Sequence, residues 1–141
     1  MKYFLDTSVL VAVFVDEHPH HEASFAVFSR ADKKHASCAA HSVAEVYATL
    51  TRLPGKHRAS ASEALLFVED MEKRLAFISL DGEEYWRAVT QSAESGIVGG
   101  TIYDALLAHC ALKARADTIF TWNIDHFRRV GPEVAKRART P

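Results

Sequence analysis

Apolar residues along this chain fall into short blocks and longer stretches of helical spacing, divided by turn formers. Lys2 to Leu5 is an aromatic-rich apolar entry that predicts a strand buried from its first residues, with Asp6 at its C-terminal end. Thr7 and Ser8 are good helix N-caps, and Val9 to Val15 is apolar on every side, so a first helix is expected deep in the core. Asp16 to His21, with its proline, closes it. His21 to Arg30 predicts a second helix and Ala36 to Ala39 a short strand of small residues. Ser42 is expected to start a third helix that carries Val43, Val46, Tyr47 and Leu50 with Glu45 among them, stopped by Pro54-Gly55.

Ser60 or Ser62 opens the next helix. In it Ala61, Ala64, Leu65, Phe67, Val68 and Met71 share one broad face, while Leu66 falls alone on the charged side. Ala76 to Leu80 predicts a strand, and Glu83 to Ser95 a helix packed through Tyr85, Trp86 and Val89 with Gly96 as its C-cap. After the Gly99-Gly100 loop, Thr101 to Ala114 is apolar on nearly every side beyond Asp104, the pattern of a buried helix with a carboxylate in its first turn. Thr118 to Phe120 is the last expected strand. This order of elements favours an α/β domain whose short, mostly parallel sheet lies between helical layers.

Composition narrows the picture. A chain of 141 residues with 48% apolar content is sized for one domain, expected to span residues 1–141. Val9 to Val15 is too short to cross a bilayer and Asp6 spoils it as a signal peptide, so a cytoplasmic protein with no membrane partner is expected. Cys38 and Cys110 lack C-x-x-C spacing and predict buried thiols, not a zinc or redox site. The formal net charge of −1 argues against a broad basic surface, so any nucleic-acid activity must rest on a local site.

The candidate chemistry lies in the carboxylates. Each sits beside a helix start, where acids also serve as caps, and Ser42-x-x-Glu45 fits a capping box. Thr7, Ser8, Ser42 and Thr101 nevertheless offer neutral cap oxygens beside every acid. In a parallel sheet the strand ends that feed helices share one edge, which would gather Asp6, Glu45, Asp104 and the Asn123/Asp125 pair. Two carboxylates about 5 Å apart repel by about 3 kcal/mol at an effective dielectric near 20, a conflict that a divalent cation removes. All-oxygen ligands point to Mg²⁺ or Mn²⁺, and such an ion suits phosphoryl chemistry.

Four segments in this order, Tyr3-Phe4-Leu5-Asp6-Thr7-Ser8, Ser42-Val43-Ala44-Glu45-Val46-Tyr47, Thr101-Ile102-Tyr103-Asp104-Ala105-Leu106-Leu107-Ala108 and Thr121-Trp122-Asn123-Ile124-Asp125-His126-Phe127, make nearly the whole chain resemble the PIN-domain ribonucleases, and more narrowly the VapC-type toxins of toxin–antitoxin pairs. The resemblance implies a PIN-like three-layer α/β/α fold. It implies Asp6, Glu45 and Asp104 as core acids of a metal-dependent endoribonuclease, with Thr7 or Ser8 and Thr121 as nearby hydroxyl donors. It also implies an RNA substrate, a cognate antitoxin, a homodimer, and inhibition of translation by cleaving RNA. The family often has Asp as a fourth acid where this chain has Asn123. Asp125, two residues on, is the alternative fourth ligand, and the choice decides how many metal ions the site can hold.

Other polar clusters have milder readings. His18, His20 and His21 around Pro19 are expected in a solvated loop, and His109 as a packed, hydrogen-bonded histidine. Arg128, Arg129, Lys136, Arg137 and Arg139 make the C-terminal segment basic; a solvated face is the default, and a grip on RNA phosphates, with Arg128 and Arg129 binding substrate, is the functional alternative. The expected reaction is hydrolysis of an RNA phosphodiester by in-line attack of a metal-activated water, leaving 5′-phosphate and 3′-hydroxyl ends. A phosphotransfer domain with Asp6 as nucleophile is disfavoured, since Ser8 stands where a D-x-D motif would need its second acid. A catalytically weak PIN fold that binds RNA or protein is the other alternative.

Overall fold

The computed structural model describes all residues, 1–141. Five strands form one sheet: β1 (Tyr3–Leu5), β2 (Ala36–Ala39), β3 (Ala76–Ile78), β4 (Thr118–Phe120) and β5 (Ala138–Arg139). Their spatial order is β3-β2-β1-β4-β5 and every pairing is parallel, with Leu5 opposite Phe120 and Phe4 opposite Ser37. The chain runs outward from β1 to β3, crosses back to β4 on the other flank of β1, and ends at β5. This reversal puts the topological switch point between β1 and β4, the position where open parallel sheets leave a crevice at the strands' C-terminal ends.

Alternate residues of the strands serve two cores, as the period of two requires. Leu5 and Cys38 point into one, filled by α1 (Thr7–Phe14), α2 (His21–Ser29), α3 (Ala40–Leu50) and α4 (Ala61–Arg74) through Leu10, Phe28, Leu50 and Met71. Phe4, Ala39 and Ile119 point into the other, filled by α6 (Thr101–Lys113), α7 (Ile124–Arg128) and α8 (Pro132–Arg137) through Leu107, Phe127 and Val134. The result is the three-layer α/β/α arrangement expected from the order of elements. The sheet is wholly parallel, and the two-residue β5 is a strand that the pattern did not predict.

Several local expectations need correction. The third helix begins at Ala40, two residues before Ser42, so Ser42 is buried within the helix and caps nothing. In α5 (Gly82–Glu94) the packed positions are Ala88 and Ser92, whose small side chains sit against α6, while Tyr85, Trp86 and Val89 are exposed. Leu66 is exposed as expected, but so is Leu65, which the helical pattern placed on the apolar face. The start of α4 does carry the predicted signal: Ser60 Oγ accepts from Glu63 N at 3.1 Å and Ser60 N donates to Glu63 Oε1 at 3.0 Å, a reciprocal capping box. Ser60→Ala removes half of it and should destabilise the protein by about 1 kcal/mol in denaturant unfolding; an unchanged midpoint would show that tertiary packing alone sets this helix start.

Candidate active site

Asp6 leaves the end of β1 at the switch point, its backbone N bonded to Phe120 O at 2.9 Å across to β4. Its side chain is 1% exposed. One oxygen, Oδ2, is crowded with donors: Ser8 Oγ–H at 2.7 Å, Thr121 Oγ–H at 2.8 Å and, more weakly, Ser8 N–H at 3.4 Å. The other oxygen, Oδ1, is buried without any hydrogen-bond partner. A solitary buried lone-pair oxygen costs free energy unless a ligand completes it. The local sequence explains the asymmetry, because Asp6 is itself the N-cap of α1 and Ser8 folds back on it. Thr7 and Ser8 are therefore not the caps, and the neutral-cap reading fails at this acid.

Glu45 approaches from the second turn of α3. Thr7 Oγ1 lies 3.2 Å from Glu45 Oε1 and 2.9 Å from Ser42 Oγ, and its single proton serves one of these two acceptors at a time. His41 Nε2, one helical turn before, stands 3.6 Å from the same Oε1. Asp104 enters from the first turn of α6, whose N-cap is Gly100 with no capping side chain. Its Oδ2 is 2.6 Å from His126 Nδ1 on α7. Asp6, Glu45 and Asp104 line one cleft of about 490 Å³, together with Ser8, Trp122 and Asn123.

The electrostatics follow from burial and from three acids facing one space. Burial lifts the Asp6 carboxyl to about 6; the hydroxyls of Ser8 and Thr121 oppose this and the Asp104 charge adds to it. Burial also raises Glu45, partly offset by His41 and Thr7 and reinforced by Asp104. The charge of Asp104 thus acts on both other acids. As the side chains stand, no three acids or histidines form a closed metal cage, since Asp104 is drawn to His126 and Glu45 to Thr7. The orphaned Asp6 Oδ1 and the all-oxygen acid set nevertheless fit a hard divalent cation.

The remaining predicted residues divide. Thr121 is fully buried behind Asp6 and also accepts Asn123 N–H at 2.9 Å. Asn123, at the N-cap position of α7, lines the cleft with its side chain free of any capping bond. Asp125 does not line it. Residues two apart on a helix face different sides, so the start of α7 at Ile124 turns Asp125 outward and brings His126, three after Asn123, to Asp104. Arg128 and Arg129 are exposed on and just after α7, outside the cleft lining. Lys136, Arg137 and Arg139 line a different cavity with Arg115, and Arg137 Nη1 bonds Ala116 O just before β4. None of these basic side chains lines the cleft that holds the acids.

The sequence does not show that four histidines and a tryptophan stand beside the acids. His18 and His20 lie in the expected exposed loop between α1 and α2, and that loop also lines the cleft; His41 and His126 contact Glu45 and Asp104; Trp122 forms part of the wall. His109 is packed as expected but has no hydrogen-bond partner, and burial lowers its pKa. The signals were present as the His18-Pro19-His20-His21 cluster and the aromatic residue after Thr121, yet only the fold brings α2 and β4 together.

Comparison with known proteins places this architecture. The PIN domain family model matches residues 3–132. Ribonuclease VapC40 of Mycobacterium tuberculosis is 35% identical over 111 residues, 79% of this chain and 79% of that protein. Ribonuclease VapC27 of the same species is 34% identical over 114 residues, 80% of this chain and 79% of its own length. Among solved structures, the fold is similar to VapBC2 from Rickettsia felis bound to a DNA fragment from its promoter, with a TM-score of 0.67, 18% identity and coverage of 99% of this chain and 98% of that one. It is also similar to M. tuberculosis VapC20, a sarcin–ricin loop cleaving toxin, with a TM-score of 0.71, 13% identity and coverage of 89% and 92%. The chain belongs to the PIN-domain family and is a relative of the VapC ribonucleases.

Proposed function

We propose that this protein is a Mg²⁺- or Mn²⁺-dependent endoribonuclease, the toxin of a toxin–antitoxin pair, which inhibits translation by cutting RNA in the cytoplasm. The observation that carries the reading is the unpartnered Oδ1 of Asp6, buried at the floor of a cleft that Glu45 and Asp104 share. Asp6 and Asp104 would hold the cation most directly, with Glu45 beside them and Asn123 at the rim in place of a fourth acid. Such an ion lowers the pKa of an attacking water and offsets charge on the phosphate.

The side chains supply the rest. Ser8 and Thr121 fix the Asp6 carboxylate so that only Oδ1 is offered to a ligand. His126 occupies Asp104 Oδ2 and leaves the other oxygen available. Glu45, with a pKa lifted by burial, suits a group that orients the water and takes its proton at the moment of in-line attack. Cleavage on this path leaves a 5′-phosphate and a 3′-hydroxyl, and no side chain becomes a covalent nucleophile. Residues 1–141 would act as one catalytic domain, in a homodimer silenced by a co-expressed antitoxin; no helix is long and apolar enough to cross a membrane.

The test is cleavage of a labelled RNA pool with Mg²⁺, with Mn²⁺ and with chelator. Wild type should cut only with a divalent ion, and Asp104→Asn should lose at least about 100-fold in rate, since a lost contact to the reacting centre costs several kcal/mol. Equal cutting by both proteins, or cutting in chelator, would overturn the metal-nuclease reading. RNA binding without cleavage would favour a binding module instead.

A further inference from the structure

The acids account for chemistry but not for grip. No Lys or Arg lines the cleft, the chain carries a net charge of −1, and Lys136, Arg137 and Arg139 line a different cavity. A polyanion entering this cleft meets three carboxylates. Apart from the cation the acids would hold, the cleft wall offers no positive side chain to a phosphate, and base stacking is the general contact that needs none.

The cleft wall holds a surface built for it. Trp122 is fixed at two points: its backbone N donates to Ser8 Oγ at 2.9 Å, and its indole Nε1 donates to the buried Ser24 Oγ at 2.8 Å. On this anchored indole the His20 ring lies flat, with centroids 3.6 Å apart and planes 8° apart. His20 is exposed at the start of α2, and its backbone N is held by His18 Nδ1 at 3.0 Å. The His18 ring stands 5.6 Å away and tilted by 44°, too far to stack on it. Ser8 ties this wall to the reacting centre, because the hydroxyl that holds Trp122 also donates to Asp6 Oδ2.

We propose that the Trp122–His20 stack is a nucleobase platform, on which an unpaired base beside the scissile phosphate of a single-stranded RNA lies against the His20 ring. The proposal rests on the ribonuclease reading and names its substrate class: RNA whose bases are free to splay, as in single strands and loops. His20 and Trp122 are then positioning residues. They hold the strand by its base without touching the phosphate. A stacking grip also tolerates any base, so sequence preference would be modest.

The experiment compares wild type, His20→Ala and His20→Phe on a labelled oligoribonucleotide that wild type cuts, and on versions in which a single abasic ribose is walked along the strand. His20→Ala should raise KM by about 5- to 100-fold with kcat within about twofold, and His20→Phe should restore KM, since base stacking is lost and regained. In wild type, one abasic position next to the cut should raise KM similarly. At that position His20→Ala should add no further penalty, because both changes remove the same contact. Unchanged KM in His20→Ala, or penalties that add at every abasic position, would remove the platform and leave the nuclease standing. Wild type that cuts no RNA would remove the nuclease reading and the platform with it.

Discussion

Asp6→Asn is expected to abolish divalent-dependent RNA cleavage while making the metal-free protein more stable at mildly alkaline pH. The carboxyl is lifted from 3.8 to about 6 by burial, so the folded state holds its proton through that window and the unfolded chain does not. Folding then binds the extra proton, and stability falls as pH rises from 3.8 to about 6. Above that range the buried charge costs about 3 kcal/mol, at 1.36 kcal/mol per pKa unit. Asparagine keeps an acceptor for Ser8 and Thr121 and removes the charge, but puts an unpartnered N–H group where Oδ1 was, at about 1–3 kcal/mol. The net gain should be on the order of 1 kcal/mol near pH 8, a few degrees in Tm for a chain of this size. At about pH 4 the gain should vanish, because wild type is then protonated and both side chains carry an unpaired donor at the Oδ1 position. Thermal unfolding of both proteins across pH in chelator checks this convergence. Added Mn²⁺ should raise the Tm of wild type alone, by mass action on the folded state. A variant that is less stable at every pH, or that still cuts RNA at wild-type rate, would show that Asp6 serves only as a cap.

That dual role marks where local sequence reasoning reached and where it stopped. Placement of Asp6, Glu45 and Asp104 at one edge followed from strand-to-helix order alone, since a parallel sheet collects those junctions whatever the side chains are. The supporting reason was partly wrong. Neutral caps were assigned to Thr7, Ser8 and Ser42, but Asp6 caps α1 itself, and α3 starts at Ala40 without a side-chain cap. Capping and ligand binding are not rivals at Asp6, because its two oxygens divide the work. The choice between Asn123 and Asp125 depended on the first residue of α7; a shift of one position turns a side chain by about 100° and changes which one faces the cleft. The apolar pattern of α5 misled because Ala88 and Ser92, small and nearly silent in hydropathy, make its contact with α6. The histidines could not be placed beside the acids, since His20 and Trp122 are neighbours only through the fold.

Thr121→Val should move the acid limb of cleavage to higher pH without lowering the rate at its plateau. Valine matches threonine in shape at this fully buried position, so the main change is loss of the hydroxyl that donates to Asp6 Oδ2 at 2.8 Å. A hydrogen bond to a charged group is worth about 1.5–3 kcal/mol, and its loss disfavours the ionised carboxylate by about 1–2 pKa units. The Asp6 carboxyl, at about 6 in wild type, rises accordingly. Near neutral pH the variant should be about 2- to 10-fold slower at limiting Mn²⁺, because less of Asp6 is ionised to receive a cation. In alkaline buffer the difference should shrink toward zero. Ser8→Ala should shift the limb in the same direction and also weaken RNA binding, since Ser8 Oγ alone holds Trp122 N to the cleft wall. The two variants therefore separate functions that Asp6 and its neighbours share: one moves a pH profile, the other moves the profile and KM together. If Thr121→Val lost the same factor at every pH, the hydroxyl would be acting on the position of Asn123, whose backbone N–H it accepts at 2.9 Å, and not on the charge of Asp6.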